Sequence, residues 1–280
     1  MNESQAYMII KSEDRDKSLF PSPANLSITP SQNLFVNTRV TSVEGESFEM
    51  LYDIPNINDR NNVIVFDDGA TSYPITVPQN YYTYDQLGNE IQTQLNAVIG
   101  AGHIFGWVAA NSRYELTAAP APLKVTKYPP QKRDLAGLIG FAYDQPLSTI
   151  ILGGASDITY TRNIYITSNN VHRSKRAQDQ SSDSFTTDVI MVVPVYGENE
   201  EFKRLNRFAT PYDTLLNPRH VYHQPTLRKQ IAFNVNESIS TIDILLLDDQ
   251  GEELYNPHSD NPDWSYRWRL TIMANQITVS

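Results

Sequence analysis

The chain has 280 residues, 40% of them hydrophobic, which is enough to bury a core in one large domain or in two small ones. Its net charge of −10 and pI near 4.9 disfavour a broad nucleic-acid-binding surface, because phosphate binding needs Lys and Arg gathered on one face. The absence of cysteine excludes disulfides, thiolate zinc sites and cysteine nucleophiles.

Targeting and partner signals are weak along the whole chain. No run of about 18 apolar residues occurs, so we expect no membrane span, and the acidic N-terminus predicts no signal peptide. Basic residues bunch within residues 173–176 and 203–207, but short basic runs are typical of solvated loops. We therefore expect no specific nucleic-acid partner, and synthesis in the cytoplasm or nucleus of a cell.

The first segment with a distinctive pattern is "MIIKSEDRDKSLFPSPANLSI", residues 8–28. A short apolar run is followed by a cluster of charges, two prolines and a second apolar run. A segment so rich in Pro and charge cannot bury enough apolar area to fold alone, so it would become ordered against a neighbour. The pattern predicts an extended N-terminal arm over residues 1–30.

The rest of the chain is typical of a β protein. It contains 17 Pro and 16 Tyr, and short runs rich in β-branched or aromatic residues recur between turn-forming residues. About a dozen such runs, from "NLFVNTRV" to "YRWRLTIMA", indicate a sandwich or a barrel.

One segment has helical rather than strand periodicity. Leu87, Ile91, Leu95 and Val98 recur at intervals of four, four and three residues, which predicts an amphipathic helix over about residues 84–99. Thr83 and Gln86 fit a capping box, Asp85 suits the positive end of the helix dipole, and Gly100 suits the C-terminal cap.

Near the C-terminus the pattern predicts a hairpin and a final strand. Residues 242–247 are apolar on both faces, and Asp248-Asp249-Gln250-Gly251 is a turn sequence. In the last strand Trp268, Leu270 and Ile272 alternate onto one face, while Arg267 and Arg269 lie on the other.

The candidate motifs for catalysis, cofactor binding and metal binding are poor matches. "GAGHIFG" has the wrong spacing for a dinucleotide fingerprint. His220 and His223 lack the helical context that would place both on one face as metal ligands, because prolines flank them. The acids of residues 248–253 lie on the predicted hairpin, where solvated carboxylates are ordinary. We expect no enzyme activity, no cofactor and no metal.

Aromatic residues within 100–157 are candidates for ligand contact. Trp107, Tyr114 and Tyr128 could stack on sugar rings or contact a receptor, although a Trp in an alternating strand is more often part of a core.

Several stretches, taken in order, resemble one family of viral proteins. The N-terminal segment is similar to the arm of penton and minor capsid proteins from viruses of the double-jelly-roll lineage, which includes virophages and Polinton-like viruses. Two further stretches resemble the same group: "LYDIPNINDRNNVIVF" with "YPITVPQNYYTYDQLGNEIQTQLN", and the C-terminal "NIYITSNNV", "VIMVVPVY" and "STIDILLLDDQGEELY". Tyr81 stands where a Gly-Asn turn would be usual, and residues 100–157 match nothing in the pattern. The matching residues of the arm are Ile10, Ser12, Asp14, Arg15, Asp16, Pro21, Pro23 and Asn25.

The resemblance implies a capsid building block with a jelly-roll β-sandwich and an extended arm. It leaves open whether an insertion domain is present. It implies a penton protein that forms homopentamers at the five-fold vertices of an icosahedral virion. Its partners would be the major capsid protein and other capsid proteins, with a host receptor as a further candidate. The implied organisation is an arm at 1–30, a first β-rich half at 31–157 and a second at 158–280. In the arm, Asp14, Arg15, Asp16 and Phe20 are the candidate interface residues.

Three alternatives remain at this point. The chain could be a minor capsid or cement protein between capsomers, which would share the arm and the sandwich. It could be a receptor- or carbohydrate-binding β-sandwich, with the aromatic residues named above as its site. An enzyme is the third choice.

Overall fold

The computed structural model describes residues 2–29, 38–143, 145–168, 189–195, 219–232, 241–260 and 266–278. Two compact units share the chain. The described parts of Met1–Ile54, Thr161–Gly197 and Pro218–Ser280 form the first unit, called the sandwich below, and Pro55–Tyr160 forms the second, called the insertion domain. The elements in chain order are β1 (Asn2–Lys11), β2 (Asn25–Ile28), β3 (Thr38–Tyr52), β4 (Val63–Asp67), β5 (Ser72–Thr76), α1 (Tyr84–Ile99), β6 (Ile104–Val108), β7 (Arg113–Thr117), β8 (Lys124–Thr126), α2 (Leu135–Leu138), β9 (Ile150–Leu152), β10 (Asn163–Thr167), β11 (Val189–Pro194), β12 (Arg219–His223), β13 (Gln230–Ala232), β14 (Ile242–Leu247) and β15 (Trp268–Thr278), with 3-10 turns at Ser12–Asp14 and Ala109–Asn111.

The sandwich consists of two antiparallel sheets. Sheet A has the order β1-β15-β3-β12, and β13 also pairs with β3 beyond the end of β12. Sheet B has the order β11-β10-β14-β2. Because β12 and β13 line the same side of β3, we count them as one interrupted strand.

This strand order is that of a jelly roll. With β12 and β13 counted together, sheet A takes the first, eighth, third and sixth strands of the sandwich, and sheet B takes the fifth, fourth, seventh and second. Successive strands therefore alternate between the sheets except where β10 continues into β11, as two interleaved Greek keys require. The predicted mainly-β jelly-roll sandwich is confirmed.

Each sheet buries one face. Sheet A buries Phe48 and Leu270, and sheet B buries Ile164 and Ile244, all fully. A Cβ built on Gly45 of β3 would lie 2.7 Å from Met191 Cε of β11, so the two sheets are in contact there. The predicted alternation in the last strand is also confirmed, since Trp268, Leu270 and Ile272 are buried and Arg269 is exposed.

The N-terminal segment is extended, but it is not separate from the sandwich. β1 pairs with β15 over ten residues, from Asn2 opposite Thr278 to Lys11 opposite Arg269. The connection between β1 and β2 is hydrogen-bonded to Trp268 of β15. The Trp268 backbone N–H donates to Ser12 Oγ at 3.1 Å, and its Nε1 donates to the Pro23 carbonyl at 2.6 Å. The predicted boundary at 30/31 separates β1 from the jelly roll, whereas in the structure β1 belongs to it. The predicted boundary at 157/158 lies close to the division between Tyr160 and Thr161.

The insertion domain has its own core. Its sheets have the orders β5-β4-β8 and β6-β7-β9, and all pairings are antiparallel. Helix α1 packs on β6 and β5. The fully buried side chains of this core include Phe66, Leu87, Phe105 and Tyr114.

Helix α1 begins and ends as predicted. Thr83 Oγ1 accepts from the Gln86 N–H at 3.2 Å, and Gln86 Oε1 accepts from the Thr83 N–H at 3.0 Å, which is a capping box. Gly100 has a φ of 115° at the C-cap. Leu87, Ile91 and Leu95 are buried, whereas Val98 is exposed because Ile99, four residues after Leu95, packs against the core in its place.

Buried amides hold the first turn of the insertion domain. Asn56 exchanges two hydrogen bonds with the backbone of Tyr82, both at 2.9 Å. Asn61 Oδ1 accepts from the Asn58 N–H at 2.8 Å, and Gln131 Nε2 donates to Asn62 Oδ1 at 3.0 Å. The Asn-rich stretch of the family resemblance therefore forms a local network that satisfies buried backbone groups.

The predicted hairpin after β14 is confirmed, and its turn also ties down β10. Gly251 has a φ of 69°, and Asp248 Oδ1 accepts from the Gln250 and Glu252 N–H groups at 2.8 and 3.0 Å. Asp249 Oδ2 accepts from Thr161 Oγ1 at 3.0 Å. These acids cap a turn, but the expectation of solvated carboxylates is wrong for Asp248, which is only 2% exposed.

Candidate assembly surface

The charged connection between β1 and β2 is folded around Arg15. This residue is only 7% exposed, and its guanidinium donates to the carbonyl oxygens of Ser12 at 2.7 Å, Phe20 at 3.1 Å and Pro21 at 3.4 Å. A buried guanidinium needs such acceptors, since leaving it unpaired is costly. Arg15 therefore holds its own connection together, and the expectation that it pairs with a neighbouring subunit does not agree with its burial.

The other predicted interface residues of this connection have different surroundings. Asp16 Oδ1 accepts from Ser18 Oγ at 2.6 Å and from the Ser18 N–H at 2.9 Å, and these bonds lower the pKa of the Asp16 carboxyl. Asp14 is exposed, and Phe20 is half-buried. Asp14, Asp16 and Phe20 thus remain accessible to a partner, and Asp16 also stabilises a local turn.

The outward face of sheet A carries a row of polar side chains across four strands. Asn275 Nδ2 donates to Ser42 Oγ at 2.9 Å, Gln230 Nε2 donates to the same oxygen at 2.9 Å, and Gln5 Nε2 donates to Asn275 Oδ1 at 3.4 Å. Further along β15 on the same face, Arg269 pairs with Glu49 at 2.8 Å. Such cross-strand pairs are of the kind that stabilise one register of a sheet.

Apolar side chains at the two edges of the same face are exposed. Tyr7 and Ile9 on β1 are 55% and 56% exposed, and Tyr222 on β12 is 58% exposed. The sequence does not predict this pattern, because "YMII" is apolar at every position and has no period. Only the burial of Met8 and Ile10 distinguishes the two faces of β1.

The aromatic candidates for a glycan or receptor site do not form one exposed surface. Tyr114 is fully buried, and its hydroxyl donates to the Tyr84 carbonyl at 2.8 Å. Trp107 is half-buried and stacks on Tyr84 with ring centroids 4.3 Å apart. Tyr128 is half-buried on another segment. Tyr114 is wrong as a surface contact, because its strand directs it into the core of the insertion domain.

The opposite face of the sheet that contains Tyr114 is partly apolar and exposed. Ile104 on β6 and Ile150 on β9 both lie opposite Thr117 of β7, and Leu152 lies opposite Glu115. All three aliphatic side chains are exposed. They form a second accessible surface, on the insertion domain, which the sequence analysis did not identify.

No group of three or more His, Asp or Glu side chains within the described ranges could hold a metal ion. No helix in the described part of the chain is long and apolar enough to cross a membrane.

Comparison with known proteins gives matches among solved structures. No protein-family model matches the chain, and no curated protein matches it. The chain is similar to the crystal structure of the selenomethionine-labelled mavirus penton protein, with 14% identity, a TM-score of 0.49 and coverage of 99% of this chain and 100% of that one. It is also similar to a chain in the 3.5 Å cryo-EM structure of the Sputnik virophage, with 12% identity, a TM-score of 0.41 and coverage of 99% and 98%.

Proposed function

We propose that this chain is a structural protein of an icosahedral virion and that it forms the pentamers at the five-fold vertices. The observation that carries the proposal is the complete jelly-roll strand order of the sandwich, with Pro55–Tyr160 inserted between the third and fourth strands. Jelly rolls occur in viral capsid proteins, but also in lectins and cupins, so the fold alone does not decide the function. The sequence stretches that resemble penton proteins occur in the same order along this chain, and they favour the capsid role over a lectin or a cupin.

The structure suits a building block of a shell. A closed five-fold ring repeats one heterologous contact, which needs two different surfaces on the same subunit. The two edges of sheet A and the exposed faces described above offer such surfaces. The partners in this proposal are the chain itself, the major capsid protein and other capsid proteins, with a host receptor as a candidate for the exposed face of the insertion domain.

A minor capsid or cement protein is the alternative within the same virion, since it would have the same fold. The carbohydrate-binding alternative is weakened, because Tyr114 is buried and Trp107 is covered on one side by Tyr84. No observation favours an enzyme.

The mass of the purified protein in solution tests the proposal. Light scattering across protein and salt concentration should give a particle of about five times the 31.7 kDa chain, because five-fold closure is rare among ordinary oligomers. A dimer or trimer would favour the cement protein instead. If the isolated protein is a monomer, cryo-EM of assembled particles decides, since density for this chain away from the five-fold vertices would overturn the proposal.

A further inference from the structure

The two edges of sheet A lie at opposite ends of its strand order. β1 is the first strand and β12 the last, and no other described strand pairs beyond either of them. An edge strand presents N–H and C=O groups that can pair with another chain. Native proteins usually protect such edges with short strands, prolines, bulges or inward-pointing charges.

β1 lacks these protective features. It is ten residues long, contains no proline and pairs with β15 without a register shift. Its charged residues, Glu3 and Lys11, stand near its ends. The side chains that point inward, Met8 and Ile10, are apolar and buried.

The edges of sheet B differ in this respect. β2 has four residues, and β11 ends in Pro194 and pairs with β10 through a register shift at Ile166/Thr167. Among the described strands, sheet B thus has two protected edges, whereas the β1 edge of sheet A is long and unprotected. A long unprotected edge is an aggregation hazard unless a specific strand covers it.

Strand direction and side-chain pattern indicate which strand fits. Neighbouring strands of sheet A alternate in direction, so β12 runs opposite to β1, and β12 of a second copy placed beside β1 would continue the antiparallel alternation. On the outward face, the aromatic side chain of Tyr222 would then lie near the aliphatic side chain of Ile9. On the inward face, Val221 would lie on the same side as Ile10. Aromatic and β-branched cross-strand pairs are stabilising.

We propose that β1 of one copy pairs antiparallel with β12 of a neighbouring copy, so that sheet A continues across the contact between subunits. This contact joins two different edges and is therefore heterologous, as a closed ring requires. The inference rests on the proposed self-assembly and specifies the surfaces that perform it.

The chain contains no cysteine, so engineered disulfides test this contact directly. Within one copy, Ile9 and Tyr222 lie on strands three spacings apart, about 14 Å, which exceeds the Cβ separation of about 4 Å in a disulfide. Any bond in the I9C/Y222C variant must therefore join two copies. A shift of two residues would place Ile9 opposite His220, which also faces outward, so I9C/H220C tests a second register of this pairing.

On mild oxidation, we expect one of the two double variants to give a ladder of covalent oligomers on a non-reducing gel that ends at the assembled mass. The ladder should disappear on reduction. Each single variant can form at most a covalent dimer, and I9C/I104C, which pairs two exposed sites on different surfaces, controls for random collision. A ladder of equal strength from I9C/I104C would overturn the proposal.

A charge at the edge gives an independent readout. I9K replaces an exposed side chain, so its thermal unfolding should match the wild type while its oligomer is lost. If the wild type forms pentamers, I9K assembles normally and neither disulfide forms, this inference is wrong and the proposed function stands. If the wild type forms no ring in solution or in particles, the proposed function itself fails.

Discussion

At the scale of single residues, the charged connection after β1 shows how burial changes the role of a residue. A guanidinium retains its charge at any physiological pH, so it becomes buried only where carbonyls or carboxylates accept its N–H groups. Arg15 meets three carbonyl oxygens of its own connection, whereas Asp14, next to it in sequence, points to solvent. One charged motif therefore contains a structural residue and an accessible one.

We expect R15A to destabilise the sandwich by about 2 kcal/mol, because hydrogen bonds from a charged donor contribute about 1.5–3 kcal/mol and the carbonyls would lose their partner. Chemical denaturation with far-UV circular dichroism measures the change. D14A is the matched control and should leave the free energy of unfolding within about 0.5 kcal/mol of the wild type. Equal effects of the two variants would contradict the structural role of Arg15.

At the scale of elements, helix α1 depends on close contact with a strand. Gly88 faces β6, and a Cβ built on it would lie 3.2 Å from the Trp107 backbone nitrogen and 3.3 Å from Gly106 Cα. Backbone atoms of a paired strand cannot move aside as the end of a flexible side chain can. Packing therefore favours glycine there, although glycine lowers helix propensity by about 1 kcal/mol relative to alanine.

We expect G88A to destabilise the insertion domain by about 1–3 kcal/mol, since overpacking outweighs the gain in propensity. Thermal unfolding followed by tryptophan fluorescence reports the change, because Trp107 lies at this contact. G106A is the control, since a Cβ on Gly106 meets no atom within 4 Å. A more stable G88A would show that propensity governs this helix and that the contact adapts.

At the scale of the whole molecule, two units with separate cores share one chain. The described part of the sandwich comes from three chain segments, and that of the insertion domain lies within Pro55–Tyr160 and has a core of its own. Such units often unfold as separate cooperative transitions.

Scanning calorimetry should therefore resolve two transitions. R15A should lower the temperature of only one of them and G88A that of only the other, because each substitution lies in a different unit. A single transition that both variants lower by the same amount would show that the units unfold together.

Features that depend on near neighbours could be predicted from the amino-acid sequence. The β class, helix α1 with its caps, the hairpin at Gly251 and the alternation of the last strand were all predicted, because propensity, capping and turn chemistry act over a few residues. The jelly roll itself was named through a family resemblance and not through periodicity.

Which surfaces are accessible could not be predicted in this way, because it depends on the tertiary fold. Met8, Ile9 and Ile10 are alike in the sequence, and β15, which lies at the far end of the chain, determines that Ile9 is exposed. Arg15 and Tyr114 were expected at the surface, and each is buried by partners that its local pattern does not reveal. The physical reason is that burial depends on contacts between segments distant in sequence, whereas pattern and propensity report only the segment itself.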